Sequence, residues 1–242
     1  MATSQSEKKM KILCLHGFRT SGSFLQKQIS KWDPSIFSQF DLDFPDGKYP
    51  AGGKSEIEGI FPPPYFEWFQ FDNDFTAYTH LEECISYLCE YITTRGPFDG
   101  FLGFSQGATL SALLLGYQAQ GKTPSKVKSV HFIGAKDWLK EPSEDLATAF
   151  DSPLIIRHPQ GHTVPRLDEA ATQQLRAWAT EIFSYNSRIL NGENHESEKG
   201  EDKVDDEEEA KPEEVPNKID VTQVQQDGIG IEVNREVEAV NA

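Results

Sequence analysis

Apolar and polar positions change period several times along the chain, and each change predicts an element. Residues 11–15, KILCL, form a short apolar run that stops at His16-Gly17-Phe18, the pattern of a buried strand entering a turn. Residues 21–32 can form a helix, and 40–44, FDLDF, alternate strictly up to Pro45, which predicts a second strand. Residues 45–72 are rich in Pro, Gly and aromatics and show no period, so they read as one long loop. Between 74 and 94, Tyr78, Leu81, Ile85, Leu88 and Ile92 step by three and four, the face of an amphipathic helix that ends at Arg95-Gly96-Pro97.

The same alternation continues downstream. FDGFLGF, residues 98–104, predicts a buried strand, and the Ala/Leu-rich run that follows predicts a helix closed by Gly121. KVKSVHFIG, residues 126–134, predicts a strand, 141–150 a short helix and SPLIIRHP, residues 152–159, a last strand. Residues 166–185 predict a helix with Leu167, Leu175, Trp178 and Ile182 inward. Strands and helices in turn imply an α/β fold, a mostly parallel sheet with helices on both faces.

Length and composition fit one such domain: 242 residues, 37% hydrophobic and 11% aromatic. The net charge of −16 argues against a nucleic-acid partner, whose phosphates recruit Lys and Arg. The charge is uneven. Residues 191–242 carry 17 acidic and 5 basic side chains, so −12 of the −16 lies there. The pattern predicts a flexible N-terminus over 1–10, a folded domain over 11–188 and an acidic disordered tail over 189–242, with partner binding by that tail as the less favoured reading. Cys14, Cys84 and Cys89 fit neither a disulfide framework nor a zinc spacing, which predicts a reducing compartment and no metal. With no signal-peptide core and no apolar run of membrane-span length, the expectation is a cytoplasmic protein, with nuclear import left open. Oligomeric state is not encoded in any pattern recognised along the chain.

Chemistry concentrates at GFSQG, residues 103–107, which matches G-x-S-x-G at a strand-to-helix junction. There the glycines remove side chains that would collide, and Ser105 is held on a strained turn with its Oγ exposed. The bland alternative is close packing at the glycines with Ser105 as a helix cap. A nucleophile needs an acid and a base in the order Ser, Asp, His. Asp137 follows the strand SVHFIG and His162 follows LIIRH, so both fall at carboxyl ends of parallel strands, on the sheet edge where ligands bind. Asp137 alone would also suit a turn or cap. Among the histidines, His162, in a Gly-flanked loop, is preferred over His158, His131 and His80, and His16 reads as structural. The backbone N–H groups of Phe18 and Gln106 are placed to act as oxyanion donors.

LCLHGF, FDGFLGFSQGA and HTVPRLDE together resemble the FSH family of serine hydrolases, small α/β-hydrolases, over residues 11–185. The resemblance implies Ser105 as nucleophile, Asp137 as orienting acid and His162 as base, acting on a small-molecule carboxylic ester without a cofactor. It also exposes a departure. The family places a further strand between the elbow helix and the strand carrying the Asp, whereas here Ser105 and Asp137 are 32 residues apart and a single strand near Lys128 fills the interval. Two outcomes follow. If the downstream strands slide one slot, the triad shifts by about 4.8 Å and breaks; if the slot stays open, strand edges and apolar helix surface are exposed. Two readings of residues 61–71 also remain, lining an acyl site or packing over the sheet. The competing function is a non-catalytic ligand-binding or interaction protein on the same scaffold, its triad disrupted by the missing strand.

Overall fold

The computed structural model describes residues 9–73, 76–119 and 128–190. The acidic tail from residue 191 onward, Gly121 and residues 1–8 lie outside the described residues. β1 (Met10–Leu15), α1 (Gly22–Ile29), β2 (Phe40–Asp43), β3 (Tyr49–Pro50), β4 (Phe66–Glu67), β5 (Gln70–Phe71), β6 (Tyr78–Thr79) and α2 (Leu81–Arg95) make the first half. β7 (Gly100–Gly103), α3 (Gln106–Ala119), β8 (Val130–Gly134), α4 (Lys140–Thr148), β9 (Leu154–His158) and α5 (Glu169–Leu190) follow. Among the described residues no helix is long and apolar enough to cross a membrane.

β1 lies between β2 and β7, parallel to both, with Ile12 opposite Leu42 and Cys14 opposite Leu102. Its period of two divides the core. Leu13 and Leu15 point to one face, where they meet Trp68, Cys84 and Leu88 of α2 and Leu110 and Leu114 of α3. Cys14 points to the other, among Leu25 and Ile29 of α1, Trp32, and Leu175 of α5. Each fully buried Leu is worth about 1.5–3 kcal/mol of transfer free energy, so this central strand anchors both layers.

Two sequence expectations change here. The stretch 45–72 is not one irregular loop: β3 pairs antiparallel with β4, and β5 with β6, in two-residue ladders too short to show a period. The helix expected from 74 begins at Leu81. Tyr78 belongs to β6 and is exposed, and His80 at the helix boundary takes φ 66°, a left-handed backbone that cannot extend the helix backward. Glu82 and Glu83 then occupy the first turn, where the helix dipole favours acids.

Near Lys128 the described strands do not join into one ladder. β8 and β9 pair in parallel, Phe132 opposite Ile156, but form a separate two-stranded sheet; among the described residues β7 pairs only with β1 and β8 only with β9. Side chains hold the second sheet in place. Trp32 donates from Nε1 to the Pro165 carbonyl at 2.8 Å and lays its ring 5.1 Å from that of Phe132, and Val130, Phe132 and Leu154 pack into the cluster built by α1 and α5. The expected cost is visible on α3. This helix is apolar on all sides, the mark of a helix meant for burial, yet Leu113 and Leu115 are only half-buried and Tyr117 is exposed.

Candidate active site

Between β7 and α3 the chain turns at Ser105 with φ 53°, a conformation that costs a non-glycine residue about 1–3 kcal/mol and persists only where its surroundings enforce it. Two glycines do the enforcing. A Cβ on Gly103 would lie 2.5 Å from the Ala108 backbone, and one on Gly107 only 2.0 Å from the Leu15 carbonyl oxygen, so α3 seats against the end of β1. Close packing and exposure of Ser105 are therefore the same feature. The Ser105 Oγ lies 2.9 Å from His162 Nε2.

Asp137 and His162 come from neighbouring strand ends that are zipped together. Beyond β8 the Ala135 N–H donates to the His158 carbonyl at 2.8 Å and Lys136 N–H to that of Gln160 at 3.2 Å. Gly134 permits the approach, since its Cβ would fall 2.7 Å from the Gln160 carbonyl oxygen. His162 Nδ1 then lies 3.0 and 3.1 Å from the two Asp137 carboxylate oxygens, one of which also accepts the Leu139 N–H at 2.9 Å. Asp137 is thus both turn residue and partner of the imidazole. A carboxylate only accepts, so the proton sits on Nδ1 and leaves Nε2 to accept from the Ser105 hydroxyl. A contact of 2.9 Å leaves no room for the 4.8 Å slip, and the disruption expected from the missing strand does not occur.

The other histidines have other surroundings. His158 is buried, its Nδ1 has no hydrogen-bond partner among the described residues, and burial lowers its pKa against the opposing pull of Asp137. His131 is lowered by burial and lies 3.2 Å from Ser129 Oγ, and His80 is exposed and stacks on Tyr49. His16 is structural, as expected. Its Nε2 accepts the Gly47 N–H at 2.9 Å and its Nδ1 lies 2.7 Å from the Gly17 carbonyl, while burial pushes its pKa down to about 4 and keeps it neutral. Burial also pushes up the thiols of Cys14 and Cys84, the latter to about 12, so neither is a thiolate. Among the described residues no cluster of three or more His, Cys, Asp or Glu could hold a metal.

Around Ser105 a second set of contacts fixes the backbone. Among the described residues neither Phe18 N–H nor Gln106 N–H donates to a protein acceptor. A Cβ on Gly17 would lie 3.5 Å from the Ser105 Cβ, which places the Phe18 turn beside Ser105. The buried Gln106 side chain, valued in the sequence only for its N–H, accepts from Trp68 N–H at 3.2 Å and donates to the Phe69 carbonyl at 2.8 Å. Trp68 in turn donates from Nε1 to the His16 carbonyl at 2.9 Å. Trp68 and Phe69 are thus core, which answers the 61–71 question for these two, while Phe71 leans on Phe18 with ring centroids 5.0 Å apart. Two further neighbours carried no sequence signal: Phe104 and Trp138 place their rings 5.1 and 5.5 Å from that of His162.

Comparison with known proteins settles the family. The description serine hydrolase (FSH1) matches residues 4–126 and 116–174, two segments that overlap at the link between α3 and β8. The chain belongs to the FSH1 serine hydrolase family. It is similar to the human esterase OVCA2, 27% identical over 72% of this chain and 95% of the relative, and to a Caenorhabditis elegans esterase, 25% identical over 68% and 90%. A dihydrofolate reductase of Schizosaccharomyces pombe is 28% identical over 66% of this chain, which spans only 44% of that protein. In structure the chain resembles acyl-protein thioesterase 2 of Zea mays, with a TM-score of 0.52 and 15% identity over 75% of this chain and 97% of that one, a likeness of fold. The family makes the protein a hydrolase, and the fold found is the α/β architecture expected from the alternating pattern and the α/β-hydrolase fold implied by the resemblance.

Proposed function

We propose that this hydrolase cleaves carboxylic esters of small molecules through a Ser105-His162-Asp137 triad and an acyl-enzyme. The observation that carries the reading is the unbroken row from Ser105 Oγ through both ring nitrogens of His162 to the Asp137 carboxylate. His162 Nε2 takes the hydroxyl proton as Oγ attacks the ester carbon, and the N–H groups of Phe18 and Gln106 receive the oxyanion. Asp137 holds the imidazole in the required tautomer and stabilises the imidazolium. The proton then passes from Nε2 to the departing alkoxide, and the C–O bond to the alcohol breaks. In the second half His162 activates water, which attacks the acyl carbon and returns Ser105 to its hydroxyl form.

Ser105→Ala tests this directly. Hydrolysis of p-nitrophenyl acetate is expected to fall by at least about 10³-fold, and labelling by a fluorophosphonate probe to vanish. Activity surviving the substitution, or wild-type protein that melts cooperatively yet neither labels nor hydrolyses, would overturn the proposal and favour the non-catalytic alternative.

A further inference from the structure

Trp138 is the most exposed large aromatic beside the site, with 69% of its surface accessible, and its indole lies 5.5 Å from the His162 ring. It follows Asp137 directly, in the turn whose Leu139 N–H is bound by the Asp137 carboxylate, so the backbone that orients the acid also fixes the position of the indole. Phe104, the other ring against His162, is half-buried in the core cluster and presents less surface. A different aromatic pair, Phe18 and Phe71, lies beside the proposed oxyanion donor.

The position of Trp138 relative to the proton path decides what it can touch. In the triad reading, on which this inference rests, Nε2 of His162 must reach the leaving oxygen within about 2.6–3.2 Å. Substituents on that oxygen therefore lie over the imidazole and beside whatever packs on it. The carbonyl oxygen lies instead toward the Phe18 N–H. We infer that Trp138 forms the contact wall for the alcohol part of the ester and favours aromatic or bulky apolar alcohols over short alkyl ones. An aryl group laid on an exposed indole buries apolar area on both partners and adds ring–ring attraction, a gain that a methyl or ethyl group cannot match.

The test varies one end of the ester at a time. 1-Naphthyl acetate and ethyl acetate give the same acetyl-enzyme, so their difference in kcat/KM lies wholly in the first half-reaction; p-nitrophenyl acetate and octanoate share an alcohol and differ only in acyl chain. Trp138→Ala is expected to lower kcat/KM on 1-naphthyl acetate about five- to tenfold, mainly through KM, with ethyl acetate nearly unchanged. Trp138→Phe should restore most of the loss, and the octanoate-to-acetate ratio should not move. An unchanged naphthyl-to-ethyl ratio, or a loss that follows the acyl chain, overturns this inference while leaving the triad reading intact. A wild-type protein that hydrolyses none of the four esters overturns both.

Discussion

The two parallel sheets carry the site in different ways. The three-stranded sheet holds Ser105 by ladder and close backbone contact: β7 is hydrogen-bonded to β1, and Gly107 seats α3 against the Leu15 carbonyl. The two-stranded sheet carries Asp137 and His162 and joins the rest of the protein through side chains, chiefly Trp32 against Phe132 and Pro165 and the cluster shared with α1 and α5. Yet the Ser105–His162 hydrogen bond that spans them, at 2.9 Å, falls between the 2.8 and 3.2 Å of the loop contacts beside Asp137. A continuous ladder is thus not required to bring Ser105 within hydrogen-bond distance of His162. Side-chain packing on one face can set the same register, because well-packed interiors resist displacement in discrete steps.

Breaking the second sheet's chemistry without its structure gives the largest effect. Asp137→Asn leaves the turn able to accept the Leu139 N–H but favours the wrong imidazole tautomer; kcat on p-nitrophenyl acetate should fall about 10³–10⁴-fold with an unchanged circular-dichroism spectrum. Breaking the joint between the sheets comes next. Trp32→Ala removes a ring and a buried hydrogen bond at once and should cost about 3–5 kcal/mol in urea unfolding, with a further loss of activity per folded molecule as His162 loosens from Ser105. A loss of stability without that loss of activity would assign the alignment to other contacts.

The smallest effect sharpens the first sheet. His16 is buried and neutral beside β1, with a folded pKa pushed to about 4 from an ordinary 6.5. Below pH 6.5 the unfolded chain binds a proton there that the folded protein does not, so stability falls as pH drops from 6.5 toward 4, by up to about 3 kcal/mol. Urea melts at pH 7 and pH 4.5 measure the slope. His16→Asn, which cannot titrate, should show a shallower one, the remainder coming from carboxylates.

Local sequence was enough to read the elbow, since glycine spacing, strand and helix lie within a dozen residues around Ser105. The order Ser, Asp, His was legible for a similar reason, because parallel strands deliver their ends to one edge. What stayed hidden depends on distant partners. The two-residue ladders of β3 to β6 have no period to detect, and the start of α2 rests on the backbone of His80 rather than on the apolar spacing that included Tyr78. How β8 and β9 are held without a ladder to β7 was likewise unreadable, because their contacts include Trp32, 100 residues from Phe132.

The zipper between the turns after β8 and β9 has a spectroscopic consequence. Because Ala135 and Lys136 bind the carbonyls of His158 and Gln160, Asp137 and His162 are held together by contacts that do not involve Ser105. The His162 Nδ1 proton, held by the Asp137 carboxylate, should resonate far downfield in a proton NMR spectrum and remain there in Ser105→Ala. That signal reports the Asp137–His162 contact independently of turnover, so a silent protein can be sorted into one that lost this pair and one that lost only its alignment with Ser105.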